Sequence, residues 1–299
     1  MDLVKSLKWF SSISLDQLNA TMSLMERIDV KYITSLKEFI PLIKHFKQDF
    51  YVLSIKWNSC FDYDNVYMDT SDLQFYDQHE FKNPQRTKIR SRHYVDANLT
   101  YFEFKQKEWD LTRKMRYKST SHGDINDENR SFISNIFTSL QWSDPDYQLI
   151  PTIKTTYKRI TLCSKYSDER VTIDFDIVLY DMTSWRAPIA LDDIMIVESK
   201  SVSEKCRSQV LMKKFGVAKA QWCSKYCLWL YYHQKVTQRS SFVKTIKVID
   251  TLMKKHHTLR KQQHHHVSKV VVPKLRKIAK HVYQTTWIKI KRLKVPESA

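Results

Sequence analysis

Glycine is nearly absent: only Gly123 and Gly216 occur in 299 residues. Phosphate loops of the Walker or Rossmann type need clustered glycines so that the backbone can approach the phosphates, and two isolated glycines exclude both. Any phosphate would have to be held by side chains. Cysteine is also sparse, with five residues (Cys60, Cys163, Cys206, Cys223 and Cys227) and no Cys-x-x-Cys pair. An odd count with no secretory signal predicts reduced thiols rather than a disulfide framework, and argues against structural zinc. No apolar run reaches the length of a membrane span, and the first twenty residues lack the basic, apolar, small-residue order of a signal peptide. A cytoplasmic location is expected.

What is present is a well-supplied core and an uneven charge. Hydrophobic residues make up 42% and aromatics 13% of the chain, enough to bury a sizeable core. The net charge of +18 is concentrated after residue 233. There, 17 Lys and Arg face only Asp250 and Glu297, an excess of +15, while the preceding residues carry +3. This shift predicts three parts: a lead segment over 1–20, a body over 21–233 and a basic, helical tail over 234–299.

Helical spacing is read over 35–50, where Ser35 can cap the first turn, and over 128–142, 204–215 and 224–232. Between these lie eight alternating segments: ERIDVKY, VYMDT, TKIRSRHY, YFEFKQK, RKMRY, TTYKRITL, RVTIDFDI and IMIVESK. Period-two alternation turns Arg27, Asp29 and Lys31 to one face of the first and Lys88, Arg90 and Arg92 to one face of the third. The later segments do the same with Glu103, Lys105 and Lys107, with Lys114 and Arg116, and with Tyr157 and Arg159. Taken singly, each is an antiparallel strand with a wet face. Eight is also about the number at which a closed barrel leaves a narrow interior. Cations converging there would repel by about 4 kcal/mol per pair at 4 Å and an effective dielectric of 20. A polyanion would offset that cost. Asp29, Glu103, Asp174 and Glu198 would soften it or hold a hard cation.

From about Met25 to Tyr232, the order ERIDVKY, YMDT, KIRSRHY, EFKQK, RKMRY, YKRITL, RVTIDFDI, VESK and CSKY resembles the catalytic domain of the vacuolar transporter chaperone (VTC) family, a branch of the CYTH-like triphosphate tunnel metalloenzymes. The resemblance implies an α+β fold: an eight-stranded antiparallel β-barrel with helices packed outside it. It further implies a polymerase that moves the terminal phosphoryl group of ATP onto inorganic polyphosphate with Mn2+ or Mg2+. The family's phosphate-binding cations fall on Lys31, Arg90, Arg92, Lys105, Lys114 and Arg159, its metal-binding glutamate on Glu198, and its late lysine on Lys225. Asp29 stands where related tunnel enzymes often carry glutamate.

Plainer readings stand beside these. Glu198 and Lys200 could form a surface ion pair, and Asp174 and Asp176 could balance Arg170. Tyr67, Tyr94 and Tyr157 read as wall packing. In CSKYCLWLYYH, Leu228, Trp229 and Tyr232 are expected to pack on the barrel while Lys225 points at its opening. In the tail, Phe242, Ile246, Ile249 and Met253 form one helical stripe, which suits a hairpin over the barrel, an anionic membrane surface or a protein partner. Nucleic acid is a secondary option. His256, His257, His264, His265 and His266 receive no role. A tunnel-fold triphosphatase or polyphosphatase, and a non-catalytic polyphosphate- or nucleic-acid-binding protein, are the alternative functions.

Overall fold

Period-two alternation becomes strand pairing through the middle of the chain. The computed structural model describes residues 3–21, 28–109, 111–140, 149–184, 186–203, 205–220, 223–233, 236 and 242–266. In order, the elements are α1 (Leu3–Ser6), β1 (Ser12–Ile13), α2 (Leu15–Thr21), β2 (Ile28–Ser35), α3 (Leu36–Asp49), β3 (Phe50–Leu53), β4 (Phe61–Asp69), α4 (Gln74–Glu80), β5 (Gln85–Tyr94) and β6 (Leu99–Glu108). Next come β7 (Leu111–Ser119), α5 (Asp127–Ser139), β8 (Ile150–Ser164), β9 (Glu169–Asp181), β10 (Ile189–Leu191), β11 (Ile194–Ser201), α6 (Arg207–Lys214), α7 (Lys225–Tyr232) and α8 (Val243–His266). One compact unit spans Met1–Leu252 and a second spans Met253–Ala299. Arg27, Trp142 and the tail beyond 266 lie outside the described residues, as do the side chains of the histidine cluster.

The eight alternating segments pair in the order β2-β11-β9-β8-β4-β5-β6-β7, antiparallel throughout. The expected closed barrel is corrected here. Among the described residues β2 and β7, the two ends of this order, do not pair with each other. Each end has a physical reason to stop. The free edge of β2 is occupied by the chain before α7: Ala220 N–H donates to Lys31 O at 2.7 Å, and Lys219 bridges to Tyr32. β7 carries Arg113, Lys114, Arg116 and Lys118, all exposed, and cations of this kind guard a sheet edge against further pairing. The sheet nevertheless curls far enough that Lys31 of β2 and Lys114 of β7 line one cavity.

The apolar faces point away from that cavity and carry the helices. Phe39, Leu42, Ile43 and Phe46 of α3 and Leu211 and Met212 of α6 bury against Ile160, Leu162, Val171, Ile173 and Val197. Ile133, Ile136 and Phe137 of α5 bury against Val66, Ile89, Phe102 and Phe104. Ser35 caps α3 by accepting from Glu38 N–H at 3.2 Å, and Asn126 caps α5 by accepting from Asn129 N–H at 2.9 Å. Leu228 and Trp229 of α7 are fully buried and Tyr232 half-buried. Phe242, Ile246 and Ile249 of the predicted tail stripe are also buried, so the compact first unit runs past residue 233.

Candidate functional site

Strand register sorts the inward side chains into rungs. Tyr67, Arg90, Glu103 and Arg116 stand opposite one another across β4 to β7. One rung along are Lys88, Lys105 and Lys114. On the other part of the sheet Lys31 faces Glu198, Asp29 faces Lys200, and Arg159 faces Asp174. Lys31, Arg90, Arg92, Lys105, Lys114, Arg159, Glu198 and Lys225 all line a single cavity of about 480 Å³. Its lining holds eleven basic side chains against three carboxylates, Asp29, Glu103 and Glu198.

The arginines are held in place by acids. Arg90 Nε donates to Glu103 Oε2 at 2.6 Å, and Arg92 Nη1 lies 3.9 Å from Glu103 Oε1 while its Nε donates to Asn65 Oδ1 at 2.9 Å. Arg159 grips Asp174 with two bonds, at 2.6 and 2.8 Å. Lys225 donates to the same carboxylate. Asp174, with a side chain only 2% exposed, therefore serves both Arg159 and Lys225. Burial alone would raise its pKa, but Arg159 and Lys225 outweigh burial and draw it down to about 2. Glu103 follows the same pattern: burial opposes ionisation, Arg90 and Arg92 prevail, and the carboxyl titrates at about 2. Tyr63 and Tyr157 stack with centroids 5.3 Å apart, and the Arg159 guanidinium sits 4.9 Å from the Tyr63 ring. The tyrosines thus form wall and cushion, with Tyr63 added to those read from sequence.

The lysine rung sets cation directly opposite cation. Lys88 is pushed down to about 8 by burial and by the charges of Lys31 and Arg90. Burial, then Lys88 and Lys114, push Lys105 down to about 7. Like charges directly opposite on a sheet are destabilising, and an anion in the cavity relieves that cost.

Lys225 arrives by a defined route. After α6 the Gly216 N–H donates to Lys213 O at 3.1 Å and the Val217 N–H to Met212 O at 2.9 Å, a Schellman turn. Gly216 there has φ +69°, a left-handed value that favours glycine. The chain then pairs with the β2 edge through Lys219 and Ala220, and Lys31 Nζ donates to Cys223 O at 2.9 Å. Within α7, Tyr226 Oη donates to buried Asp69, whose carboxylate also accepts from Phe75 N–H at 2.9 Å and Tyr76 N–H at 3.0 Å. This network fixes the helix that presents Lys225.

Glu198 is held well below the usual carboxylate range, because Lys31 and Lys200 outweigh the effect of burial. Lys200 Nζ lies 2.8 Å from Glu198 and 3.3 Å from Asp29. At 18% and 16% exposure the Glu198–Lys200 pair lies inside the cavity, not on the surface. Among the described residues no three His, Cys, Asp or Glu side chains gather as a complete metal site. The Lys200 ammonium stands between the Asp29 and Glu198 carboxylates, and a pair of carboxylates fits the mode in which Mg2+ takes one or two protein carboxylates and completes its shell with phosphates and water.

Alternation placed Lys88, Arg116, Arg170 and Lys200 on the polar strand faces without giving them a phosphate-binding role, and all four line the cavity. The partner of Asp174 had no sequence signal, because pairing β8 with β9 decides it.

With this geometry in view, comparisons with known proteins bear on its origin. No curated protein sequence matches the chain. Among solved structures, the PH1819 protein from Pyrococcus horikoshii OT3 is 11% identical with a TM-score of 0.41, covering 69% of this chain and 99% of its own. A candidate adenylate cyclase from Vibrio parahaemolyticus is 13% identical with a TM-score of 0.38, covering 68% of this chain and 97% of its own. A candidate adenylyl cyclase from Hippeastrum, described as having a dominant triphosphatase activity, is 9% identical with a TM-score of 0.37, covering 70% and 98%. These likenesses are distant, and the assignment rests on a different finding. The sequence model of the VTC domain matches residues 26–232, and the chain belongs to the VTC domain family.

Proposed function

We propose that the protein is a polyphosphate polymerase, transferring the terminal phosphoryl group of ATP onto a growing inorganic polyphosphate chain. The observation that carries this reading is the single cavity lined by Lys31, Arg90, Arg92, Lys105, Lys114, Arg159, Lys225 and Glu198, with basic residues far in excess of acids. Membership of the VTC domain family supports it.

In this mechanism Glu103 and Asp174 fix the guanidinium planes of Arg90 and Arg159, leaving their other N–H groups to bind phosphate oxygens. Lys31, Lys105 and Lys114 act as point charges along the bound anion, and Lys225, anchored by Asp174, sits over Tyr157 at 4.8 Å. Glu198, with Asp29, would hold a divalent Mn2+ or Mg2+, which when bound supplies charge neutralisation on phosphate oxygens. The attacking oxygen belongs to the incoming phosphate chain, so no side-chain nucleophile is required. Positioning and fixed charge then supply most of the rate. The +15 tail is proposed as a contact for an anionic membrane surface, a partner or emerging polyphosphate.

Incubation of the purified protein with ATP and Mn2+, with products resolved on a polyphosphate gel, tests the proposal. Chains are expected. Release of free phosphate alone would support a hydrolase, and absence of both would overturn catalysis. Glu198→Gln and Arg90→Ala should each lower chain synthesis by about 10²-fold or more, as loss of a preorganised charge stabiliser does.

A further inference from the structure

Beside the main cavity lies a second one of about 350 Å³, which shares Asp29, Lys31, Lys88 and Lys105 with it and adds His79, Arg86 and Lys107, so that five Lys and Arg side chains line it against one carboxylate. In the register of β5 and β6, Arg86 stands opposite Lys107, one rung beyond Lys88 opposite Lys105. Two successive rungs therefore set cation against cation across these strands. The next rung inward differs, since Glu103 lies between Arg90 and Arg116. Like charges directly opposite weaken a sheet. An anion bound along both rungs would reverse the sign of that effect.

Two further observations point into this space. The Lys88 ammonium donates to Ser224 Oγ at 3.0 Å and the Lys31 ammonium to Cys223 O at 2.9 Å. Residues 223–224 thus form a sill between the cavities, and each ammonium keeps further N–H donors for a ligand crossing it. His79 Nε2 is buried and has no hydrogen-bond partner. Burial, followed by the charges of Lys88, Arg86 and Lys105, holds its imidazole well below the usual range.

We propose that this second cavity is an outer anion subsite, taking phosphates of a linear polyphosphate chain that extends beyond those held in the main cavity. Inward positions on a strand recur about every 6.8 Å, more than the width of one phosphate group. A chain leaving the main cavity therefore passes from Lys88 and Lys105, which line both cavities, to the fresh cations Arg86 and Lys107. The inference rests on the polyphosphate reading given above and adds to it a preference for chain length.

Calorimetric titration of the full chain with inorganic tripolyphosphate and with a longer linear polyphosphate, at several salt concentrations, tests it. Wild type should bind the longer chain more tightly and with a steeper salt dependence. In the variant Arg86→Gln/Lys107→Gln, affinity for the longer chain should fall about tenfold and its salt slope by about one to two, while tripolyphosphate binding stays within about twofold. The single variant Lys107→Gln, checked by thermal unfolding, serves if the double variant fails to fold. A long-chain advantage retained in the variant would assign it to other basic residues and overturn the subsite. Equal binding of both ligands by wild type would overturn the subsite alone. Binding of neither ligand would overturn the polyphosphate reading together with the subsite.

Discussion

Asp174 joins two cations that the sequence places on different elements, Arg159 of β8 and Lys225 of α7. Replacing it with asparagine leaves both cations in a largely buried setting without their counter-charge. Breaking a buried ion pair in this way costs about 3–5 kcal/mol, so Asp174→Asn should lower unfolding free energy by that order in denaturant titrations. The pH dependence has a definite sign. The folded pKa of about 2 lies below the unfolded carboxylate, so the stabilisation is present above about pH 4 and is lost as pH falls toward 2. Wild type should show this acid loss, and Asp174→Asn should lack that part of it. At this scale the sequence was informative about facing and silent about pairing. Alternation placed Arg90, Arg92 and Glu198 on inward faces, but Glu103 as partner of Arg90 follows from the register of β5 on β6, which no local pattern specifies.

The connection from α6 to α7 decides how the sheet ends. Gly216 turns the chain, and Ala220 then donates to Lys31 O where a closed barrel would have placed another strand. Ala220→Pro removes that N–H donor and leaves a backbone acceptor beside a site cation, with an expected cost of about 1–3 kcal/mol. Thermal unfolding would register the loss, and weaker tripolyphosphate binding should accompany it because Lys31 and Cys223 shift together. Helices were legible at this scale because apolar spacing and caps are local: the spans read over 35–50 and 224–232 correspond to α3 and α7 within a residue or so. Closure was not legible. Eight alternating segments suit an open curled sheet as well as a barrel, and the choice depends on edge cations on β7 and on a chain segment distant in sequence.

Across the whole molecule, the charge excess has two sources that composition alone merges. One is the tail; the other is the cavity, whose eleven bases against three acids are masked because acids elsewhere bring residues 1–233 to a net +3. The depressed lysines make a further prediction. Lys88 at about 8 and Lys105 at about 7 lie below the unfolded lysine value of about 10.4, so the folded protein sheds protons that the unfolded chain still holds. The unliganded fold should therefore gain stability as pH rises from about 7 toward 10, whereas tripolyphosphate affinity should fall over the same interval. Melting curves with and without ligand across that range would show the two trends diverging.

The central claim is that side chains from strands and α7 converge on one polyphosphate-binding cavity. Titration of tripolyphosphate into wild type and into Arg90→Ala/Arg159→Ala, with the basic tail present in both, tests it most directly. The account predicts saturable, salt-sensitive binding by wild type and loss of about 10²-fold or more in affinity in the variant, at the scale of two charge-assisted phosphate contacts. Equal affinity in the two proteins would contradict it.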